Sequence, residues 1–439
     1  MAVARITCLI YALLTIFLAV NATTLSFWMV LPAVFLMWIN YFVFRTGCRG
    51  LQTKTMSQEL PASAVLSKWA MTVLCVIAVL FSTAIVHYYT GQTPVSVVTN
   101  LAMKESLYKQ YQLYFLESGL DAFTVSKVPY IFMMFCVKLL MIYSYMALFA
   151  LKQTATGGEK IYLFVVSVAY LFISAARGTS IELFEFFFLI VYSITAGAMQ
   201  NGRLKILASS RTLWVGLLGA CCLLLFTYFI NLRGDLGGYI THEIRYDPNA
   251  VLSRIAAPLA LLTLEMCGYF GFGFFFTSVF IREIWLDSVE SFFAGLIPYG
   301  LSTIGRGPLD MEICDIKIDC GAAWIPDAVL LMNASGLFGV LLFCFILGRF
   351  LRYVDARGKV SHRALSEMTK FMIMLQMISL PIGNFIIISS ANILITCVLI
   401  IVWLCFLVKS GCIRLLRKAN WKPDSCHNLS NNHTIPNVV

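Results

Sequence analysis

Apolar runs long enough to cross a lipid bilayer follow one another along most of the chain, and the polar residues gather between them. A membrane-spanning helix needs about 20 predominantly apolar residues. The runs that approach this length are 6–22, 26–44, 69–87, 128–151, 161–176, 181–198, 212–230, 334–350, 371–387 and 391–408. The pattern predicts an all-α polytopic membrane protein with about 10 transmembrane helices.

The composition agrees with this prediction and excludes other classes. Of the 439 residues, 60% are hydrophobic and 12% are charged, whereas soluble domains average about 45–50% apolar and about 25% charged residues. An ordinary cytosolic enzyme, a disordered chain and a fibrous repeat are therefore excluded. A net charge of +10 would suggest a nucleic-acid partner for a soluble protein, but here the positions of the cations matter more, and we expect no nucleic acid.

The first apolar run has two interpretations. Arg5 precedes it, and Val20-Asn21-Ala22 resembles the cleavage site of a secretory signal. A second apolar run follows after only a few residues, so we expect a retained helical hairpin.

Lysine and arginine orient the predicted helices, because cytoplasmic loops carry an excess of these cations. With the N-terminus inside, 21 of the 32 fall in cytoplasmic segments and 10 in outer segments, while Lys138 lies within a span. Both termini are therefore predicted to be cytoplasmic.

Two predicted outer segments, 88–127 and 231–333, are much longer than any inner one. Long loops usually carry function, whereas transporters tend to work near the bilayer midplane between repeated halves, which we do not detect. The chain thus divides into seven spans (1–230), a large outer loop, three C-terminal spans (334–408) and a cytoplasmic tail (409–439).

Part of the large loop is apolar enough to enter the bilayer. Residues 258–281 and 291–304 either cross it, which would give twelve spans, or lie as helices in the outer headgroup region. The charges of Arg282, Glu283 and Asp287 nearly cancel, so the cation rule does not decide between the two. We expect ten spans, with partly membrane-apposed helices in the loop.

The short turn Ala-Ala-Arg-Gly-Thr-Ser at 175–180 places Arg177 at the outer mouth of the bundle. Thr179 or Ser180 is suited to cap the next helix. The N-terminus of that helix would add positive potential beside Arg177 and form a seat for an anion. The alternative is that Arg177 only anchors the chain to lipid headgroups.

Charged residues inside spans mark function by default. Glu182 and Glu185 share a face of the sixth span at a spacing of i, i+3, and Lys138 lies about 15 Å into the fourth span. Because both spans run inward, we expect Lys138 to pair with Glu185, either for function or only to hold the helices together.

Other candidate chemistry is sparse. Cys314 and Cys320 lie close together in the large loop, and in an oxidising compartment they would form a small disulfide loop. The acidic residues between them are too few for a calcium loop. No phosphate-binding, dinucleotide-binding, zinc-protease or serine-hydrolase motif occurs in a usable context, so we expect no metal and no cofactor.

Several stretches resemble the O-antigen polymerases of the Wzy type, which are inner-membrane glycosyltransferases of Gram-negative bacteria. They are AARGTS at 175–180, TYFINLRGD at 227–235, WIPD at 324–327 and NASGLFG at 333–339. The likeness covers most of the chain in its layout. It implies a GT-C-like architecture in the bacterial inner membrane, with the large loop in the periplasm.

The resemblance also implies a reaction, in which a growing glycan moves from undecaprenyl pyrophosphate to the non-reducing end of a lipid-linked repeat unit. Arginine forks bind phosphate, and fixed cations stabilise a departing pyrophosphate. The candidates for this role are Arg177, Arg233, Arg245 and Arg254. The attacking hydroxyl needs a base or an acceptor. The candidates for that role are His242, Glu243, Asp247 and Asp235.

The expected partners are the lipid-linked oligosaccharide, membrane lipid and a regulator of chain length. Other functions stay open. An O-antigen ligase shares the layout, but it typically carries His followed by Asn, Ser or Gln, whereas Glu243 follows His242 here. A repeat-unit flippase or solute transporter would act without bond chemistry, and a peptidoglycan polymerase has a similar ten-span plan.

Overall fold

All regular elements of the computed structural model are helices in the part of the chain that it describes. The described residues are 2–21, 27–49, 67–103, 106–120, 124–151, 156–200, 247, 249–251, 254, 271–282, 325–358, 363–383 and 389–419. They form two compact units, one up to residue 395 and one from residue 396, which contains the rest of the last helix. The site described below lies in the first unit.

The helices are numbered in chain order. They are α1 (Ala2–Asn21), α2 (Phe27–Cys48), α3 (Lys68–Thr90), α4 (Pro94–Ala102), α5 (Leu107–Glu117), α6 (Val128–Ser144), α7 (Gly157–Arg177), α8 (Ile181–Gln200), α9 (Gly271–Phe280), α10 (Asp327–Gly358), α11 (Arg363–Ser379) and α12 (Ser390–Ala419). A 3-10 turn, Val125–Lys127, precedes α6, and a π-helix, Tyr145–Leu151, follows it.

Six segments of the described chain are long and apolar enough to cross a membrane. They are Trp28–Cys48, Lys68–Thr90, Val125–Leu148, Gly157–Arg177, Asp327–Arg357 and Ser390–Lys409. The protein is therefore an all-α, multi-pass membrane protein. The helix α8 closely matches the predicted span 181–198, and the predicted span 212–230 lies outside the described residues.

The helices α2 and α10 cross at two glycines. A Cβ atom at Gly348 would lie 2.3 Å from the carbonyl oxygen of Phe44, and one at Gly47 would lie 2.4 Å from that of Phe345. Only glycine lets the two backbones approach this closely, which is a common basis of helix association in membranes.

Contacts between neighbouring helices also give their relative directions. The contacts are Phe188–Phe371 and Tyr192–Glu367 between α8 and α11, and Val354–Ser366 and Asp327–Ser379 between α10 and α11. Because α8 and α10 both run antiparallel to α11, they are parallel to each other. The distribution of cations predicts the same relative direction for the sixth and eighth spans.

The predicted span 371–387 is wrong in its boundaries. The helix α11 begins at Arg363 and ends at Ser379, followed by a turn through Pro381. Proline lacks a backbone N–H and disfavours a helical conformation in the residue before it. Nearly every side chain of α11 is buried, and Glu367 and Gln376 have partners inside the bundle. The polarity of Glu367 and its neighbours hid the start of the helix.

The predicted span 334–350 is too short. The helix α10 begins at Asp327, whose N–H donates to the carbonyl of Gly383 (2.7 Å), and the N–H of Ala328 donates to that of Leu380 (2.9 Å). The turn after α11 thus provides hydrogen-bond acceptors for amides that have no partner within the first turn of a helix. Within α10, Gly336 has a φ of 66°, so the helix bends there.

Residues 271–282, which the sequence assigns to the outer loop, pack inside the bundle. The side chains of α9 are buried throughout, and the ring of Phe274 meets that of Tyr11 edge to face at 6.1 Å. The hydroxyl of Ser278 accepts a hydrogen bond from the N–H of Ala33 (3.2 Å) in α2. This environment favours entry of the stretch into the bilayer over a position among the headgroups.

We predict that Gly348→Ala weakens the contact between α2 and α10. The new methyl group must push the backbone of α2 away, and overpacking of this kind costs about 1–3 kcal/mol. The measurement is the thermal unfolding midpoint of the purified protein in detergent. The matched control is Gly158→Ala, since a Cβ there meets nothing within 4 Å. Equal midpoints for the two variants would contradict the backbone contact.

Candidate functional site

One buried carboxylate joins four helices in the interior. Glu185 of α8 is 2% exposed, and its Oε2 lies 2.5 Å from Nζ of Lys138 in α6. The hydroxyl of Tyr170 in α7 donates to the same oxygen (2.5 Å), and the amide of Asn392 in α12 donates to Oε1 (2.7 Å). The predicted pairing of Lys138 with Glu185 is confirmed.

Hydroxyl pairs align the helices that carry two of these donors. Tyr162 lies 2.7 Å from Ser144, and Ser167 lies 2.8 Å from Tyr145, oxygen to oxygen. Earlier in α6, Lys138 lies beside the ring of Tyr170, with Nζ 6.0 Å from its centroid. Because Lys138 precedes Ser144 whereas Tyr170 follows Tyr162, the helices α6 and α7 are antiparallel, as predicted.

The second centre is the turn between α7 and α8 together with the first turn of α8, residues 177–182, which we call the mouth of the bundle. Arg177 is the last residue of α7, and Gly178 ends that helix in the left-handed conformation, with a φ of 61°. The carbonyl of Ser180 accepts the N–H of Phe184 (3.0 Å), which makes Ser180 the N-cap residue of α8. The chain thus reverses direction within three residues and points the start of α8 back towards Arg177.

The anion seat predicted at this turn holds a carboxylate of the protein itself. The guanidinium of Arg177 forms an ion pair with Glu182 in the first turn of α8. The hydroxyl of Thr179 donates to the other carboxylate oxygen (3.0 Å). A carboxylate is also stabilised by the positive end of the helix dipole. The turn therefore places a cation and a carboxylate side by side.

Tyrosines of the outer segment cover this turn. The ring centroid of Tyr111 in α5 lies 6.0 Å from the guanidinium carbon of Arg177. A Cβ at Gly178 would lie 2.7 Å from the backbone nitrogen of Tyr108, so α5 rests directly on the turn. The side chain of Arg177 is 18% exposed, and its Nε has no hydrogen-bond partner among the described residues. The side chain of Arg177 is thus sheltered and only partly open, and its Nε is buried.

The two centres are neighbours on one helix. Glu182 and Glu185 are three residues apart on α8, which corresponds to a rise of about 4.5 Å. The interior carboxylate therefore lies almost directly beneath the mouth. Because four helices hold Glu185, the first turn of α8 and its carboxylate are fixed relative to α7.

A third polar cluster lies at the other end of α8. Tyr192 donates to Glu367 (3.2 Å), and Lys370 lies 2.9 Å from Glu367 and 2.6 Å from Asp355, nitrogen to oxygen. Charged or hydrogen-bonding groups therefore occur at both ends and in the interior of the bundle along α8.

Most of the predicted loop residues lie outside the described part of the chain. They are Arg233, Asp235, His242, Glu243, Arg245, Cys314 and Cys320. Asp247 and Arg254 are described, and the side chain of Asp247 accepts the N–H of Asn249 (2.8 Å), while Arg254 is exposed. No described ion pair joins either of them to Arg177.

The sequence interpretation did not include several residues that the structure brings together. The sequence could have predicted a buried partner for Asn392, because an amide in an apolar run needs a hydrogen-bond partner inside a membrane. The pairing of Glu182 with Arg177 was also accessible, since a five-residue separation across a tight turn brings two side chains close. Tyr170 and Glu367 carried no signal, because their partners lie on helices whose packing the sequence does not reveal.

No protein-family model, curated protein or solved structure matches this chain. The functional interpretation therefore depends on the residues and their arrangement.

We predict that Lys138→Met destabilises the protein strongly, because it leaves Glu185 charged and buried without its cation, at a cost of about 3–5 kcal/mol. The double variant Lys138→Met with Glu185→Gln should recover much of this loss. The measurement is again the thermal midpoint, read as a double-mutant cycle. Lys160→Met, at an exposed lysine of α7, is the control and should change little. Additive losses in the double variant would contradict a direct pair.

Proposed function

We propose that the protein polymerises lipid-linked oligosaccharide repeat units at the periplasmic face of the bacterial inner membrane. It would transfer the growing glycan from undecaprenyl pyrophosphate to the non-reducing end of a new unit, as a glycosyltransferase without a metal or cofactor. The observation that carries this proposal is the mouth of the bundle, where Arg177 and Glu182 lie side by side and the ring of Tyr111 lies next to Arg177.

The chemistry needs a cation for the leaving group and an acceptor for a proton. In the proposed reaction, the lipid pyrophosphate binds the guanidinium of Arg177 and so displaces Glu182. The freed carboxylate accepts the proton of the attacking sugar hydroxyl. The hydroxyl oxygen bonds to the anomeric carbon of the donor sugar while the bond between that carbon and the pyrophosphate breaks. The pyrophosphate leaves on its lipid, with its negative charge held by Arg177.

The surroundings of the mouth support a sugar substrate. Tyr111 supplies a ring with an apolar face and a polar tip, a combination that suits the mixed faces of a sugar. The lipid tail would lie against apolar side chains of the spans, many of which are exposed.

The loop residues stay candidates in this proposal. Arg233, Arg245 and Arg254 would add cations for the second phosphate or for the acceptor's own carrier. His242, Glu243, Asp247 and Asp235 are alternative bases to Glu182.

A repeat-unit flippase is the second candidate, and the polar clusters along α8 favour it. Pumps and transporters carry ionisable residues in chains through their spans, and Glu185 and Glu367 are buried acids at two levels of this bundle. A flippase would need no base at the mouth.

Deletion of the gene in its host tests the proposal against these rivals. We expect the ladder of long lipopolysaccharide chains to collapse to core plus a single repeat on a gel, because only the bond between repeats is lost. Loss of all repeats from the core would instead indicate a flippase or a ligase. An unchanged ladder would exclude all three functions.

Complementation of that deletion tests the mouth itself. Arg177→Lys keeps the charge but loses the bidentate fork, so we expect much less polymer at equal protein level, and the same for Glu182→Gln. The control is Arg349→Lys, at an exposed arginine of α10, which should restore the full ladder. A full ladder with Lys at position 177 would remove Arg177 from the proposed mechanism.

A further inference from the structure

The two short helices between α3 and α6 do not span the membrane, yet they expose apolar side chains. The helices α4 and α5 have nine and eleven residues, and a span needs about 20. We call the helices α4 and α5 together the outer hairpin. Each helix has a defined start, since Thr93 and Ser96 form a capping box and Ser106 caps α5.

The inner face of the outer hairpin is fixed to the bundle. The ring of Tyr114 lies where a Cβ on Gly91 would be, at 2.7 Å, and Gly178 accommodates the backbone of Tyr108 in the same way. Amides add to this contact, because Gln92 donates to the side chain of Gln110 (2.8 Å), as does Asn100 (3.1 Å). The hairpin is therefore anchored at the end of α3 and on the turn that carries Arg177.

The opposite face is apolar and exposed. On α4, Val95 and Val98 are 75% and 62% exposed and lie on one helical stripe at i, i+3. On α5, Leu113 and Leu116 are 60% and 63% exposed with the same spacing. A face of this kind is unfavourable in water, because exposed apolar area costs roughly 25 cal/mol per Å².

The neighbouring residues indicate the level of the membrane surface. The rings of Tyr88 and Tyr130 stack at 3.7 Å where α3 ends and α6 begins, and tyrosines concentrate at membrane–water interfaces. Beside them, Val125, Val128 and Phe132 are exposed and belong to the segment that begins the span Val125–Leu148. The outer hairpin contacts this end of α6, since Nζ of Lys127 lies 5.4 Å from the ring centroid of Phe115 in α5. Both therefore expose apolar side chains near the same end of the bundle.

We propose that the outer hairpin lies in the outer leaflet, with Val95, Val98, Leu113 and Leu116 at the boundary between headgroups and acyl chains. The occupant of this face is lipid. Helices that lie in the interface in this way bury their apolar side to a depth of about 5–10 Å. Lys109 is exposed on the same helix as the two leucines, and its long stem lets the ammonium reach the headgroups.

The position has a consequence for the mouth, and this part rests on the proposed function. The hairpin has lipid on one face and Arg177 on the other, so a substrate carried on a lipid can approach Arg177 sideways from the membrane. Its pyrophosphate then arrives at headgroup depth without leaving the leaflet.

Photo-crosslinking from single positions tests the lipid contact. A benzophenone amino acid replaces Val98 or, in a second variant, Leu113 in the full chain, which is reconstituted into bilayers of phosphatidylethanolamine and phosphatidylglycerol. Lipid adducts are counted by mass spectrometry after irradiation. Phe132, which is exposed on a span, is the positive control. Gly158, which is exposed in open space at the first turn of α7, is the negative control for a position in water.

We expect adduct yields at Val98 and Leu113 close to the yield at Phe132 and severalfold above the yield at Gly158. Yields equal to that at Gly158 would overturn the proposal, since the face would then be in water. A crosslinked species of twice the mass would also overturn it and would identify the face as a contact between two copies of the chain. The lipid contact is read without any glycan assay, so its outcome is independent of the polymerase proposal.

Discussion

The arrangement of the bundle depends on satisfying one carboxylate where water is scarce. Glu185 would be costly in the interior without partners, because a buried, unpaired charge costs several kcal/mol. Its three donors, Lys138, Tyr170 and Asn392, come from three different helices. The requirement that all three reach the same group therefore sets the rotation and the height of α6, α7 and the start of α12 against α8. Apolar contacts alone would permit these helices to slide, since they resemble the lipid around them.

The same requirement also fixes the residues at the mouth, because they lie only one helical turn away from Glu185 on α8. The position of Glu185 also sets that of Glu182, since both lie on α8. The tight turn at Gly178 then leaves Arg177 only a short distance from the first turn of α8. The packing of Tyr108 on that glycine adds the outer hairpin to the same rigid group. A site built in this way is held by the interior of the protein and not by its loops, which is the arrangement that precise chemistry favours.

The sequence predicted the helical class, most of the spans and one side-chain pair, because hydropathy and the rarity of buried charge are strong signals. It misplaced α11, since a helix buried on all sides carries polar residues, and since Pro381 ends the helix where the apolar run continues. It left open whether the α9 segment enters the bilayer, because an apolar stretch interrupted by charges is compatible with both lipid and a headgroup layer. The pairing of Arg177 with Glu182 does not follow from either residue alone, because it depends on the reversal of the chain at Gly178. Contacts such as Asn392 with Glu185, 207 residues apart, follow only from the packing of whole helices.

The crossing of Gly47 with Gly348 has a consequence for biogenesis. Arg49 and Arg352, just beyond that crossing, are 303 residues apart, so α2 enters the membrane long before its partner exists. At roughly 5–20 residues per second, the ribosome needs about 15–60 s to supply α10. During that interval, lipid or the insertion machinery must fill the groove at Gly47. When α10 docks, it therefore displaces molecules that already occupy this groove.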